Sequence, residues 1–357
     1  MFSLKKILLH SVMLSSAFAA SAQDSWPSPE VAQMRNQAQA NIARGNYKDA
    51  ITTFRQAIVL APDKFVLYEG LGKALYLSGS YVEAVQTLRP FIDKPEASEE
   101  FYALLDASYI SQEDIKRARE VLKKGLDHFP ASGPLYHDLG DLYDREKKPE
   151  EALGAWVEGI HKDPAYALNY YDAARKYLDG GDMMPGLLYG EIYLNIAQDG
   201  SRADTLKKML FTGYKNMFDN IAAANNRPSN TTGSFIYAVK QIYLNLTPVV
   251  SDGITTENLT MVRTRFLMDW FAKYADKYPY SLFVYQDYLV KNGLFDIYNE
   301  WLFGKAESIV EYNAWNQFHP GEMDIFLKKN REHALFPVTA DVYNDHGMDS
   351  MIRKKKR

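Results

Sequence analysis

Residues 133–166 read GPLYHDLGDLYDREKKPEEALGAWVEGIHKDPAY, and this stretch decides the fold. Its first half carries apolar residues at i, i+3, i+6 and i+7, which are Tyr136, Leu139, Leu142 and Tyr143. That spacing is typical of one face of a helix. Its second half carries another such face, and Pro164 ends it because proline cannot donate to the helical hydrogen-bond ladder. The small residues Gly140 and Ala152 indicate that the two helices approach each other closely, so the stretch predicts an antiparallel helix pair.

The pattern recurs through residues 31–199 at a constant interval of 34 residues. Small residues keep this interval at Ala50, Ala84, Ala118, Ala152 and Gly186, and large apolar residues keep it at Met34, Tyr68, Tyr102, Tyr136 and Tyr170. A fixed period of this length is typical of an array of helix pairs. Each pair has too small a core to fold alone and buries its apolar face against its neighbours. We therefore predict five units at 31–64, 65–98, 99–132, 133–166 and 167–199.

The array resembles the tetratricopeptide repeat (TPR) family over about half of the chain. The family's signature positions are occupied by Phe54, Leu71, Gly72, Ala84, Tyr109, Leu139, Gly140, Tyr143, Ala152 and Trp156. The first and fifth units depart from the pattern at Gln37, Asn41, Gly186 and Gly190, as edge units commonly do. The resemblance implies an all-α fold, a superhelical solenoid of antiparallel helix pairs followed by a further helical region. It also implies a non-enzymatic scaffold that binds a peptide segment of a partner protein in a concave groove.

In this family the first helix of each unit lines the groove. The resemblance places there Arg35, Gln39, Glu69, Lys73, Tyr76, Ala103, Ala107 and Ile110 from the first three units, and His137, Asp138, Asp141, Asp144, Tyr171, Asp172, Arg175 and Asp179 from the last two. Asp138, Asp141, Asp144 and Asp172 make that end acidic, so we expect a basic or amphipathic partner segment. An ordinary solvated helix face is the alternative interpretation.

Some members of the family bind the C-terminal tails of chaperones through a clamp of basic and amide residues. The positions of that clamp read here Arg35, Gln39, Gly70, Glu100 and Leu104. The clamp is not reproduced, and the resemblance does not imply recognition of a peptide C-terminus.

Motifs for catalysis or metal binding are absent from the sequence. The seven histidines form no His-x-x-x-His pair, and the neighbours His319 and Glu322 fall short of the three protein ligands that a zinc site needs. There is no phosphate-binding glycine loop and no Gly-x-Ser-x-Gly motif. We therefore predict no enzyme activity, no cofactor and no metal. A formal net charge of −4 with scattered basic residues predicts no nucleic-acid binding.

Residues 1–22 are typical of a secretory signal peptide. Lys5 and Lys6 precede a short apolar run, and Ala20-Ser21-Ala22 supplies a small-x-small cleavage site. The run is too short to span a bilayer, and no later stretch approaches that length. The chain has no cysteine, which excludes disulfides and a thiol nucleophile. We expect an exported chain, periplasmic or secreted, whose partner is an envelope or periplasmic protein and whose mature form has no integral membrane segment.

The segments outside the array divide by composition. We assign 23–30 to a leader, 200–224 to a capping helix, 225–234 to a polar linker, 235–336 to a helical C-terminal domain with a degenerate repeat, and 337–357 to an irregular basic tail. In the C-terminal domain the apolar spacing predicts helices over 235–246, 256–278, 281–291, 294–317 and 321–333. Phe266, Trp270, Phe271 and Tyr274 are predicted to face inward.

The aromatic content of this C-terminal domain leaves a second function open. A glycan-binding or glycan-processing module would use Tyr285, Tyr288, Trp301 and Trp315 as stacking side chains. An exposed aromatic platform would favour the glycan function, whereas buried rings would favour packing.

Overall fold

The computed structural model describes residues 26–197, 200–223 and 234–341. Within these residues every regular element is a helix, and the all-α prediction is confirmed. Five helix pairs follow the 34-residue period. They are α1 (Pro29–Ala43) with α2 (Tyr47–Leu60), α3 (Phe65–Leu77) with α4 (Tyr81–Leu88), α5 (Glu99–Ile110) with α6 (Ile115–His128), α7 (Gly133–Arg145) with α8 (Pro149–Lys162), and α9 (Ala167–Asp179) with α10 (Met183–Ile196).

One turn position between the paired helices keeps a positive φ angle in every pair. Gly45, Gly79 and Gly181 have φ angles of 77°, 81° and 84°, and Glu113 and Lys147 hold the equivalent place at 60° and 58°. A left-handed backbone costs a non-glycine residue roughly 1–2 kcal/mol, because its Cβ crowds the following carbonyl oxygen. The turn geometry is therefore kept even where the glycine that favours it is missing.

The predicted close approach within the helix pairs is confirmed. A Cβ atom at position 140 would overlap the indole of Trp156, and one at position 72 would lie 2.5 Å from Leu88 Cδ2. Both neighbouring side chains are buried. These two glycines are small because the partner helix occupies the space that a side chain would need.

The chain divides into two compact units, residues 1–121 and 122–357, with the boundary inside α6. We call them the N-terminal and C-terminal units. The N-terminal unit has a core built by α1 to α4, which includes Ala38, Phe54, Leu67, Leu71 and Leu75. The C-terminal unit has one continuous core that joins α8, α9 and α10 to the helices that follow them.

Helix α11 (Ser201–Ala223) packs closely on the fifth pair. A Cβ atom at Gly190 would lie 2.7 Å from Leu210 Cδ2, and one at Gly213 would lie 2.9 Å from Leu178 Cδ2. Every residue of α10 from Met184 to Asn195 is buried. Gly190, one of the two glycines that make the fifth unit atypical in sequence, therefore admits α11, whereas Gly186 makes room for Leu178 of α9.

The remaining helices complete the C-terminal unit. They are α12 (Phe235–Asn245), α13 (Thr256–Lys273), α14 (Ser281–Lys291), α15 (Phe295–Asn299), a π-helical turn (Glu300–Gly304), α16 (Lys305–Glu307), α17 (Ile309–Phe318) and α18 (Glu322–Glu332). Short 3₁₀ turns lie at Arg89–Phe91, Thr247–Val250 and Thr339–Asp341. No helix among the described residues has the length and apolar character that crossing a membrane requires.

Three details of the predicted C-terminal helices are wrong. The single helix expected over 294–317 is interrupted by the π-helical turn and by Ser308, whose extended backbone lets its side chain cap α17 by accepting from the Glu311 N–H at 3.2 Å. Helix α13 ends at Lys273 rather than at 278. Phe266 and Trp270 are buried as expected, but Phe271 is 39% exposed because it lies one position further around the helix.

Several predicted segments lie outside the described residues. They are the signal peptide at 1–22, the leader up to residue 25, residues 225–233 of the linker, and the tail from 342 onward.

Candidate functional site

A cleft of about 560 Å³ opens on the N-terminal unit along the first helices of three successive pairs. Its walls come from α1, α3 and α5, and Phe54 of α2 reaches it from behind. The lining residues are Arg35, Gln39, Ile42, Ala43, Phe54, Val66, Glu69, Gly70, Lys73, Glu100 and Leu104. Four of the predicted groove residues are among them, namely Arg35, Gln39, Glu69 and Lys73. We call this site the N-terminal cleft.

The five positions of the chaperone-tail clamp all line this cleft. They are Arg35, Gln39, Gly70, Glu100 and Leu104. Glu100 and Leu104 occupy positions at which the clamp has basic residues. The cleft therefore lies at the clamp positions but has different side-chain chemistry. Gly70 leaves room for the Phe54 ring, which a Cβ atom at position 70 would overlap. The result is a cleft with an apolar floor between charged walls.

Most of the charges on the cleft walls are already paired. Lys73 Nζ lies 2.5 Å from Glu100 Oε1, and Glu69 accepts a hydrogen bond from the Ser98 hydroxyl. Burial raises the pKa of the Glu69 carboxyl, with Glu100 adding to the effect and with Ser98 and Lys73 opposing it. These contacts fix the side chains of α3 and α5 relative to each other.

Arg35 differs from the other charged residues of the cleft. Its guanidinium lies over the Trp26 ring at 5.4 Å. Its Nε is buried and has no hydrogen-bond partner within the described residues. A buried N–H without a partner costs about 1–3 kcal/mol. Arg35 supplies the positive charge on the α1 wall of the cleft.

A second group of charged side chains lies on the C-terminal unit, on α7 and α9. His137 Nε2 lies 3.1 Å from Asp172 Oδ2 and 3.8 Å from Asp141 Oδ1. Asp138 Oδ1 faces the other ring nitrogen, Nδ1, at 3.6 Å. His137 and Asp141 are one helical turn apart, and Asp172 is the residue 34 positions after Asp138. The repeat period therefore brings the four side chains together, and we call them the His137 cluster.

Charge within the His137 cluster sets the pKa of the imidazole. Burial by itself lowers the pKa of His137, but the neighbouring Asp138, Asp172 and Asp141 raise it to about 9. Burial raises the pKa of the Asp141 carboxyl, His137 lowers it, and Asp172 and Asp138 raise it further. In the absence of a bound cation, His137 is thus protonated at neutral pH.

The acidic surplus expected from the sequence is largely balanced in this region. Arg175 Nη1 lies 3.2 Å from Asp172 Oδ1, and Lys176 Nζ lies 2.5 Å from Asp144 Oδ1. With His137 protonated, its three carboxylate neighbours face two cations. The region does not present four free carboxylates to a partner.

Two predicted groove residues lie elsewhere. Tyr171 is buried, with its ring 5.1 Å from Tyr193 and with the guanidinium groups of Arg175 and Arg202 over it at 5.5 and 5.7 Å. Tyr76 does not line the N-terminal cleft, and its ring packs 5.6 Å from Tyr81. Both side chains serve packing among the helices.

The C-terminal unit contains a buried polar network that the sequence pattern does not predict. Glu191 of α10 accepts from the Arg263 guanidinium of α13, from Gln286 Nε2 of α14 at 2.6 Å, and from the Tyr298 hydroxyl of α15 at 2.8 Å. Asn195 donates to the Tyr298 hydroxyl at 2.7 Å. All five side chains are buried. We call this the Glu191 network, and it fastens the fifth helix pair to the C-terminal helices.

Aromatic rings surround the charged part of this network. The Arg263 guanidinium lies 5.2–5.8 Å from the ring centres of Tyr214, Phe295, Tyr298 and Phe303. Burial lowers the pKa of Arg263, but Glu191 raises it more strongly, so the pKa lies above its usual value. The network could not be found from the sequence because Glu191 and Arg263 are 72 positions apart and follow no period.

The four aromatic residues of the glycan alternative do not form an exposed platform. Tyr285 is buried, and its hydroxyl donates a hydrogen bond to Asn330 Oδ1. Tyr288 packs against His333 at 5.0 Å. Trp301 packs against Phe326, and Trp315 stacks on His319 at 4.6 Å. The alternative function is not supported.

Successive antiparallel helix pairs with a 34-residue period define an α-helical repeat protein. Residues 38–88 match the family model described as TPR repeat. Residues 38–88 are therefore tetratricopeptide repeat sequence, and such repeats form scaffolds for protein–protein interaction, in general without enzyme activity.

Solved structures similar to this chain have low sequence identity to it. A TPR protein of Thermus thermophilus named TTC0263 is 17% identical with a TM-score of 0.42, and the match covers 50% of this chain and 98% of that one. MamA from Desulfovibrio magneticus RS-1 is 18% identical with a TM-score of 0.41, covering 49% and 98%. PilF of Pseudomonas aeruginosa is 14% identical with a TM-score of 0.45, covering 56% and 93%. No protein with a curated description matches the chain.

Proposed function

We propose that the chain is an exported scaffold of the bacterial cell envelope and that its N-terminal cleft binds a peptide segment of a partner protein. The observation that carries the proposal is the cleft itself, which lies at the clamp positions of the family and has an apolar floor. Residues 1–22 support export, because they have the pattern of a secretory signal peptide.

The chemistry of the cleft favours a segment that combines an apolar side chain with a carboxylate. Ile42, Val66 and Leu104 offer the apolar side chain a dry surface. Arg35 offers the carboxylate its positively charged guanidinium, and hydrogen bonds to charged groups contribute about 1.5–3 kcal/mol. Glu69 and Glu100 on the far wall disfavour a second carboxylate there. We therefore expect an extended segment in which an acidic residue neighbours a large aliphatic or aromatic residue.

A peptide library displayed on phage and panned against the mature chain tests this function. Enriched peptides are expected to carry the acidic–apolar pair and to bind with measurable affinity in fluorescence polarisation. Arg35→Ala should weaken the binding of an enriched peptide by roughly tenfold to a hundredfold, since a charge-assisted hydrogen bond is lost. Leu104→Glu should also weaken it, by placing a charge on the apolar floor.

The matched control is Arg55→Ala, because Arg55 is half exposed and pairs with Glu83 outside the cleft. Binding that is unchanged by Arg35→Ala, or lowered equally by Arg55→Ala, contradicts the assignment of the cleft. The double variant Asp141→Lys with Asp172→Lys tests the expectation from the sequence that the acidic end of the groove binds the partner segment. A loss of peptide binding in that variant alone would move the binding site to the C-terminal unit.

Export is tested separately by expressing the full chain in a Gram-negative host. We expect the protein in the periplasmic fraction or the medium, with Gln23 as its first residue after cleavage at Ala22. Recovery of the uncleaved chain from the cytoplasm would contradict this part of the proposal.

A further inference from the structure

Three ligand atoms of the C-terminal unit converge around one point. His137 Nε2, one oxygen of Asp141 and one oxygen of Asp172 all lie within 4.8 Å of one another. The two carboxylates approach the same ring nitrogen, at 3.8 and 3.1 Å. The Asp172 oxygen, at 3.1 Å, lies within hydrogen-bond distance of Nε2. The Asp141 oxygen at 3.8 Å is beyond hydrogen-bond distance and is left facing the same point.

We propose that His137, Asp141 and Asp172 bind a divalent first-row transition metal ion such as Zn²⁺. Zinc binds imidazole nitrogen and carboxylate oxygen at about 2.0–2.2 Å in tetrahedral geometry, which separates neighbouring ligand atoms by about 3.4 Å. The distances from His137 Nε2 to Asp172 and Asp141, 3.1 and 3.8 Å, lie on either side of that separation. Three protein ligands leave a fourth position for water or for an atom of a bound molecule.

The surroundings of the three ligands are those of a supported metal site. Metal-binding histidines commonly turn their other ring nitrogen toward a carboxylate, which fixes the tautomer and the ring orientation. Asp138 stands at that place, 3.6 Å from Nδ1. Arg175 holds the second oxygen of Asp172 at 3.2 Å and orients the carboxylate.

The scaffold also limits how far the ligands can move. His137 and Asp172 have side-chain exposures of 11% and 15%, whereas Asp141 at 46% faces solvent and gives an ion access. Ser132 caps α7 by accepting from the Leu135 N–H at 3.0 Å. Asn169 Nδ2 of α9 donates to the Gly133 carbonyl oxygen at 3.0 Å and ties the two helices together. This site is separate from the N-terminal cleft and does not depend on the proposed peptide binding.

Calorimetric titration of the chelator-treated mature chain with ZnCl₂ tests the proposal. We expect saturable binding of one ion per chain, a rise in the melting temperature with added Zn²⁺, and a visible absorption band when Co²⁺ is used instead. Asp141→Asn and His137→Ala should each lower the affinity by more than about a hundredfold, because even outer residues of metal sites contribute about ten- to a hundredfold. Asp141 is exposed enough for the asparagine variant to fold, which circular dichroism checks.

Two variants serve as matched controls. His161→Ala removes an exposed histidine of α8, and Asp144→Asn removes a carboxylate of α7 that pairs with Lys176. Both should bind Zn²⁺ as the unchanged chain does. No saturable binding, binding that survives both His137→Ala and Asp141→Asn, or an equal loss in His161→Ala overturns the proposal. Peptide binding at the N-terminal cleft is measured on the same variants and is expected to be unchanged.

Discussion

Replacing Glu191 by glutamine should destabilise the C-terminal unit more than any surface change. The substitution keeps the shape of the side chain but removes the negative charge beside Arg263. Arg263 is 1% exposed. In the variant it keeps only neutral partners, such as the side-chain oxygen Oδ1 of Asn299 and the aromatic rings around it. A buried cation has lost its counter-charge, while Gln286 and Tyr298 lose a charged acceptor.

The expected cost follows from the burial of the pair. Removing one partner of a buried ion pair costs about 3–5 kcal/mol, whereas an exposed pair contributes about 0–1 kcal/mol. A cost of that size is a large part of the roughly 5–15 kcal/mol that stabilise a folded domain. With a urea dependence near 3 kcal/mol per M, the unfolding midpoint should fall by about 1–2 M.

Urea unfolding followed by tryptophan fluorescence measures this effect where it occurs. Trp156, Trp270, Trp301 and Trp315 all belong to the C-terminal unit, so the signal reports mainly on that unit. The matched control is Asp269→Asn, which breaks the exposed pair with Arg265 on the same helix as Arg263. The double variant Glu191→Leu with Arg263→Leu should recover much of the loss, since no buried charge remains. A midpoint for Glu191→Gln equal to that of Asp269→Asn would refute the reasoning.

Other substitutions test the turns, the helix contacts, the caps and the network. Lys147→Gly should raise the free energy of unfolding by about 0.5–1 kcal/mol, because it removes a left-handed penalty, and a lower urea midpoint would contradict this. Gly140→Ala should lower it by about 1–3 kcal/mol, because the added Cβ overlaps Trp156, and an unchanged midpoint would argue against close packing there. Ser98→Ala should cost about 1 kcal/mol and speed amide exchange at Phe101, whose N–H donates to the Ser98 hydroxyl at 3.0 Å, so unaltered exchange would count against the cap. Tyr298→Phe should cost about 1–3 kcal/mol, and a stability equal to that of the unchanged chain would show that the hydroxyl is dispensable.

The helix pairs and part of the lining of the N-terminal cleft could be predicted because a repeat makes distant residues equivalent. The resemblance to the repeat family places Arg35, Gln39, Glu69 and Lys73 in its groove, and all four line the N-terminal cleft. Counting could not show which charges neutralise each other. Asp144 looks free in sequence, yet it pairs with Lys176 of the next unit, 32 positions later.

The rest of the fold depends on contacts that have no period. The apolar spacing over 294–317 is compatible with one helix, and only packing of the C-terminal unit produces the π-helical turn at Glu300–Gly304. The convergence of His137, Asp141 and Asp172 was missed for a different reason. Metal motifs are recognised by ligands close in sequence, whereas here the third ligand comes from the following repeat, 35 residues after the histidine.

Because α10 is buried on all its faces, this array could be lengthened before the fifth unit but not after it. A further copy of the 34-residue unit placed after α10 would have to displace α11 and expose residues from Met184 to Asn195 that now have no solvent-facing side. Insertion between two earlier units, such as after Pro62, would meet mainly the interfaces that the repeats already make with each other. Expansion or contraction of the array in related sequences is therefore expected upstream of the fifth unit, which behaves as its fixed end.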